Sequence, residues 1–225
     1  MSTFKLDWAP IWDNRDLLVE GFITTIVLSA LGLLLALIIG VIVGTAGTSK
    51  ARLLRSGAAA YVELMRNIPL LVHMYFWYMG LAFLQLPPFA CAVAALALYS
   101  GAYVAEIVRS GIGAVPQGQR LAALATGLTP LQAFLLVIYP QALRIITPSL
   151  ASIFSQLIKD SSLASVITVA ELTYQASSIE GQTFRTFEVY ITISLLYLLL
   201  VSVVTYGLLL VPGARDDVAQ RVSDA

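Results

Sequence analysis

The sequence predicts an all-α integral membrane protein with five transmembrane helices, its N-terminus outside and its C-terminus cytoplasmic. Three observations predict it. Of 225 residues, 59% are hydrophobic and only 12% charged, against roughly a quarter charged in soluble domains. Residues 21–49 and 189–214 contain no charged side chain, and each run exceeds the ~20 apolar residues that a bilayer requires. Basic residues gather on one side of the implied spans, as the positive-inside rule demands. Residues 1–225 therefore read as one membrane domain. Thirteen basic and thirteen acidic residues balance to zero net charge, so no nucleic-acid footprint is present.

The first twenty residues are polar, acidic and aromatic, without the basic start and short apolar core of a secretory signal. Trp8 and Trp12 among charges suit a segment at the membrane interface or a disordered tail. The first span is expected at about 21–47. In it Gly32, Ala36, Gly40 and Gly44 recur at every fourth position, which lines one helical face with small residues and lets a neighbour approach closely. Lys50, Arg52 and Arg55 then mark a cytoplasmic loop. From Arg66 to Glu106 no charge intervenes, too long an interval for one span. Pro87 and Pro88 divide it with an external turn, giving spans at about 58–84 and 89–110. Cys91, the single cysteine, lies in an apolar run as a small buried hydrophobe.

A cytoplasmic loop at 111–143 follows, longer than a minimal connection needs. Good helix formers run from Gln119 to Thr126, Gly127 stands where a helix C-cap falls, and a second helical run opens at Thr129 and Pro130. The fourth span, about 145–168, carries Lys159 and Asp160 part-way along. Residues 171–188 form a mixed polar external segment, and the last span, about 189–212, delivers Arg215 and Arg221 to the cytoplasm. Eight basic residues then lie inside (Lys50, Arg52, Arg55, Arg109, Arg120, Arg144, Arg215, Arg221) and three outside (Lys5, Arg15, Arg185). Arg66 and Lys159 are left for the membrane.

Within the loop, Leu121-Ala122-Ala123, Gly127 and Val137-Ile138-Tyr139-Pro140 stand at a spacing that resembles a known family. Permease subunits of bacterial ATP-binding-cassette importers carry Glu-Ala-Ala, three residues, Gly, nine residues and an apolar stretch ending in Pro. The Ala-Ala, Gly and Pro match, and Leu121 replaces the acidic residue. Val115-Pro116-Gln117-Gly118-Gln119 looks like the lead-in of the branch importing polar amino acids. The likeness extends to Gly21-x-x-x-Thr25, to residues 61–71 (YVELMRNIPLL), to 103–111 (YVAEIVRSG), to 140–144 (PQALR) and to 159–163 (KDSSL). Each motif alone is only moderately specific; the ordered set covers nearly the whole chain.

The resemblance implies a role for the loop as the coupling helix that docks on the ATP-hydrolysing subunit. It assigns that role to Gly118, Gln119, Leu121, Ala122, Ala123, Gly127 and Pro140. It also implies two ATP-binding subunits that bind the ATP and magnesium, a second permease subunit (homologous or identical) and a periplasmic amino-acid-binding protein. Leu121 points towards a non-identical second permease that supplies the acidic residue. No cofactor, metal site or catalytic residue is expected in this chain, which is not an enzyme, and the implied location is the bacterial inner membrane.

Charges within spans are costly and face a partner or a hydrated path. Arg66 and Asn67 precede Pro69, which lacks a backbone donor and disfavours helix at the residue before it. A break there would place a guanidinium beside open backbone, suited to an amino-acid carboxylate. Alternatively Arg66 pairs with Glu63 or snorkels to the interface. Glu106 shares a helix face with Tyr99 and Tyr103, which suits an ammonium ligand, or else it pairs with Arg109. Asp160 is the other acidic candidate; Lys159, its neighbour in sequence, faces elsewhere. His73 among apolar residues reads as structural rather than as a proton relay. Competing functions are an ion-gradient-driven secondary transporter or channel, which leaves the long elbow unexplained, and a scaffold subunit without a transport path.

Overall fold

The computed structural model describes residues 6–209, excepting the side chains of 208 and 209. The expected cytoplasmic placement of Arg215 and Arg221, and the position of Lys5, lie outside these residues. A short helix α1 (Ala9–Asp13) leads into α2 (Arg15–Gly47), the first span. The outward-facing residues of α2 and of the last helix are large and apolar, among them Leu34, Ile38, Ile42, Leu195, Leu198 and Val203. Such a surface is matched to lipid rather than water.

The small-residue stripe of α2 is a packing seam, as its spacing predicts. Gly32, Ala36, Gly40 and Gly44 are all buried, and they face α5 (Pro88–Ala114). A Cβ on Gly44 would lie 2.5 Å from the Ala105 carbonyl oxygen and 2.7 Å from Val108 Cβ. Only glycine permits this backbone approach. Leu28, Ala36, Ala92, Ala95, Leu96 and Leu157 form the core between α2, α5 and α8 (Tyr139–Asp160).

The second expected span, 58–84, is not one helix. Helix α3 (Arg52–Asn67) ends at Ile68, whose φ of −105° and ψ of 129° are extended. Pro69 at ψ 142° holds the chain open before α4 (Leu70–Tyr75), which runs on as a π-turn to Gly80. The break falls where Pro69 predicts it, because the ring pushes the preceding residue out of the helical region. Among the described residues, the helices long and apolar enough to cross a membrane are Arg15–Gly47, Pro88–Ala114, Pro130–Ile167 and Thr186–Gly207. The broken second segment is absent from that set because neither half reaches the needed length.

The central loop contains α6 (Gln117–Ala125), closed by a Schellman turn. Gly127 has φ +89°, and the amides of Gly127 and Leu128 bond to the Leu124 and Ala123 carbonyls at 3.1 and 3.3 Å. This is the arrangement that selects glycine after a helix. Thr129 and Gln132 then form a reciprocal capping box, starting α7 (Pro130–Ala133). Helical structure continues from there through a π-turn into α8, so the helix that carries the expected fourth span begins well before residue 145. The capping box explains the early start: it nucleates a helix whose apolar face finds Val115 and Ile112 to pack on.

Residues 171–183 are also more ordered than a polar external segment suggests. They form α9 (Leu172–Thr183), followed by α10 (Thr186–Leu209). Leu172, Ala176 and Ile179 of α9 share a core with Leu18 of α2 and Val189 and Ile193 of α10.

Candidate functional site

Two cavities flank α5. The first, of about 630 Å³, lies among α2, α3 and α5 and is lined by Arg55, Glu63, Arg66, Asn67, Tyr103, Glu106 and Arg109, with small residues such as Gly44, Gly47 and Ala58. The second, of about 470 Å³, is walled by Pro69, Leu70 and Leu71 at the helix break, Tyr99, Ser100 and Tyr103 of α5, Ile153, Gln156, Leu157 and Asp160 of α8, and Leu163.

The candidate residues therefore separate. Arg66, Asn67 and Glu106 share the first cavity, and Asp160 belongs to the second. Glu106 is held by Arg109: Nε donates to Oε2 at 3.0 Å and a terminal guanidinium nitrogen donates to Oε1. One helical turn separates them, and the two-pronged geometry is the strong form of a charge pair. The pairing with Arg109 that the sequence offers for Glu106 is therefore present.

Arg66 does not pair with Glu63. Its guanidinium carbon stands 5.0 Å from the centroid of the Tyr103 ring, within cation–π range. The expected aromatic face of α5 is present: the Tyr99 and Tyr103 hydroxyls are 3.2 Å apart and their ring centroids 5.1 Å. His73 is buried, with Nε2 3.3 Å from the Met65 carbonyl oxygen and its ring 5.9 Å from that of Tyr99, which fits a structural histidine.

Asp160 is the only charged side chain among the residues walling the second cavity. One of its oxygens accepts from Gln156 Nε2 at 2.7 Å. Gln156 was not singled out from the sequence, although its place four residues before Asp160 puts both on one face. Immediately after Asp160 the helix tightens to a 3₁₀ run, Ser161–Ile167. There the Ser161, Ser162 and Ser165 hydroxyls donate to carbonyls three residues back, each at 2.7 Å. The three hydroxyls at this polar helix end are thereby all satisfied by the chain itself.

The elbow presents Gln117 to Ala122 outward while Ala123 is buried. Leu121 is 65% exposed, and Leu131, Leu135 and Leu136 extend the exposed apolar surface. Gly118 has open space around it.

A bundle of spanning helices, a broken segment beside a chamber and an exposed elbow define a membrane-embedded transport subunit. The chain belongs to the family of binding-protein-dependent transport system inner membrane components, whose model matches residues 19–215. It is 37% identical over 199 residues to the probable glutamine ABC transporter permease protein GlnM of Bacillus subtilis (strain 168), covering 88% of this chain and 92% of that one. The glutamine transport system permease protein GlnP of Escherichia coli (strain K12) is also 37% identical, over 206 residues, with 90% and 94% covered. A crystal structure of an amino acid ABC transporter with histidines superposes with a TM-score of 0.84 at 36% identity, covering 91% of this chain and 97% of that one.

Proposed function

We propose that this chain imports a polar amino acid by alternating access, and that the Asp160 cavity holds the cargo. One observation carries the site: a chamber of amino-acid size whose walls include a single charge, a carboxylate, beside two tyrosine rings. A carboxylate and aromatic faces together suit an α-ammonium group. The hydroxyls of Ser100, Tyr99 and Tyr103 and the amide of Gln156 offer partners for a polar side chain. The glutamine relatives and the amino-acid transporter structure support the same class of cargo, and favour an ATP-driven importer over an ion-gradient-driven one.

Arg66 and Asn67 contact cargo on its way through the first cavity rather than at the Asp160 site. The elbow residues Gly118, Gln119, Leu121, Ala122, Ala123, Gly127 and Pro140 transmit the motion of two ATP-binding subunits, which bind ATP and magnesium. A second, non-identical permease and a periplasmic binding protein complete the assembly, with the Lys50–Arg55 loop and the elbow on the cytoplasmic side. Recovery of a single permease species from the purified assembly would remove the non-identical partner.

Uptake of labelled L-glutamine, L-glutamate, L-histidine and L-arginine into vesicles carrying the assembled importer tests this reading. ATP-dependent uptake of at least one is expected, with Asp160→Asn raising KM roughly tenfold to a hundredfold, the worth of a hydrogen bond to a charged group. Uptake without ATP would overturn the importer reading, and an unchanged KM in Asp160→Asn the site.

A further inference from the structure

Tyr103 lines both cavities, and no other residue among those described does. Tyr103 is thus a wall common to the cavity of Asp160 and the cavity of Arg66, Glu106 and Arg109. Two contacts fix its ring. Its hydroxyl meets Tyr99 at 3.2 Å, and the Arg66 guanidinium covers its face at 5.0 Å. Arg66 is the penultimate residue of α3, just before the chain breaks at Ile68 and Pro69. The contact therefore ties the end of a discontinuous segment to the continuous helix α5, at the boundary between the cavities. Arg109 already holds Glu106, and no ion pair engages Arg66 among the described residues. The aromatic face is its partner.

We propose that Tyr103 is the partition between two consecutive chambers of one translocation path, and that Arg66 latches it shut. Cargo released from Asp160 crosses when α3 moves relative to α5, the guanidinium leaves the ring and the ring turns aside. The chamber beyond offers cationic Arg66 and Arg55 and anionic Glu63, so a zwitterion meets both signs of charge there. This assignment rests on the reading that the Asp160 cavity holds the cargo. It adds the order of the chambers and the residue that divides them.

Thiol accessibility in the assembled importer tests it. In a Cys91→Ala background, a reporter cysteine is placed at Ile153 in the Asp160 chamber or at Ala59 in the other. A membrane-impermeant, uncharged sugar-linked methanethiosulfonate, insensitive to the charge at Arg66, is added from the side of the Lys50–Arg55 loop. Ala59→Cys should react at the same rate in every variant. Ile153→Cys should react slowly with Tyr103 present, severalfold faster in Tyr103→Ala, and still slowly in Tyr103→Phe, which keeps the ring. Arg66→Gln should accelerate it roughly twofold to thirtyfold, the span of a lost cation–π contact, and Arg66→Lys should restore most of the protection. Equal rates at Ile153→Cys with tyrosine and alanine would overturn the partition, and a rate unmoved by Arg66→Gln would overturn the latch. Arg66 is not part of the packed core, so its variants remain informative even if Tyr103→Ala does not assemble. The readout needs no transported amino acid. Failure of the uptake panel with the rate pattern intact would remove the cargo assignment and leave the partition.

Discussion

The Tyr197 hydroxyl donates to the buried Glu171 carboxylate at 2.7 Å, fastening α9 to the last helix, α10. The same carboxylate accepts from the amides of Thr173 and Tyr174 at 2.9 and 2.8 Å, capping α9. The remaining first-turn amide, of Leu172, donates to Thr25 Oγ1 on α2 at 3.1 Å. The three leading donors of α9, which a helix cannot satisfy internally, are therefore met by two side chains, Glu171 at the cap and Thr25 of α2. Gly21, one turn before Thr25, admits this approach, since a Cβ there would stand 2.9 Å from Gln175 Cγ and 3.0 Å from Leu172 Cα.

Thr25→Val should destabilise the protein by about 1–3 kcal/mol, because it leaves the Leu172 amide buried and unpaired. Thr25→Ser should retain most of the stability. Thermal unfolding in detergent of the three proteins measures this, and a valine variant as stable as wild type would refute it.

Burial pushes the Glu171 carboxyl above the ordinary carboxylate range, with hydrogen bonds from Thr173, Tyr197 and Tyr174 acting in the other direction. A raised value means that the folded state holds its proton more tightly than the unfolded chain. Its contribution to stability is then full below the unfolded value and declines as pH rises through the folded one. Melting temperatures taken between about pH 4 and about pH 8 should show this decline in wild type and lose it in Glu171→Gln. Parallel curves would contradict the assignment.

Gly44→Ala should cost about 1–3 kcal/mol through overpacking of the α2–α5 seam, where the Ala105 carbonyl and Val108 stand in the way. Gly57→Ala, on α3 with nothing within 4 Å, should be neutral or stabilising by up to about 1 kcal/mol, as helix propensity dictates. The difference between the two in one unfolding assay is the measurement, and equal effects would argue against the close approach.

Gly127→Ala should lower the ATP-dependent uptake rate while leaving assembly intact, because alanine resists the φ of +89° that the turn requires. Gly113→Ala, in open helical surroundings near the end of α5, should be tolerated. Leu121→Arg should weaken co-purification of the ATP-binding subunit without moving the melting temperature of the permease, since Leu121 is largely exposed.

Local rules made much of this legible. Pro69 announced the break, Gly127 the turn after α6, and the four-residue recurrence of Gly32, Ala36, Gly40 and Gly44 the seam. Each depends only on backbone sterics within a few residues. The extent of the fourth span was not legible, because Thr129 and Gln132 start a helix among residues that also suit a loop. Glu171 was missed as a cap because glutamate is not among the residues that ordinarily cap a helix N-terminus, and the Tyr197 hydroxyl that helps hold its carboxylate in place comes from a distant helix.

The sequence by itself determined the membrane class, the family and the residues with chemistry to offer, since composition, periodicity and ordered motifs are properties of the chain. Only the tertiary structure decided how those residues are shared out. Arg109 takes Glu106, Tyr103 takes Arg66, and Asp160 stands in a chamber of its own with Gln156. The physical reason is that charges along a helix have several partners within reach. Glu106 and Asp160 take partners one turn away on their own helices, Arg109 and Gln156, whereas Arg66 is claimed from across the α3–α5 contact by Tyr103.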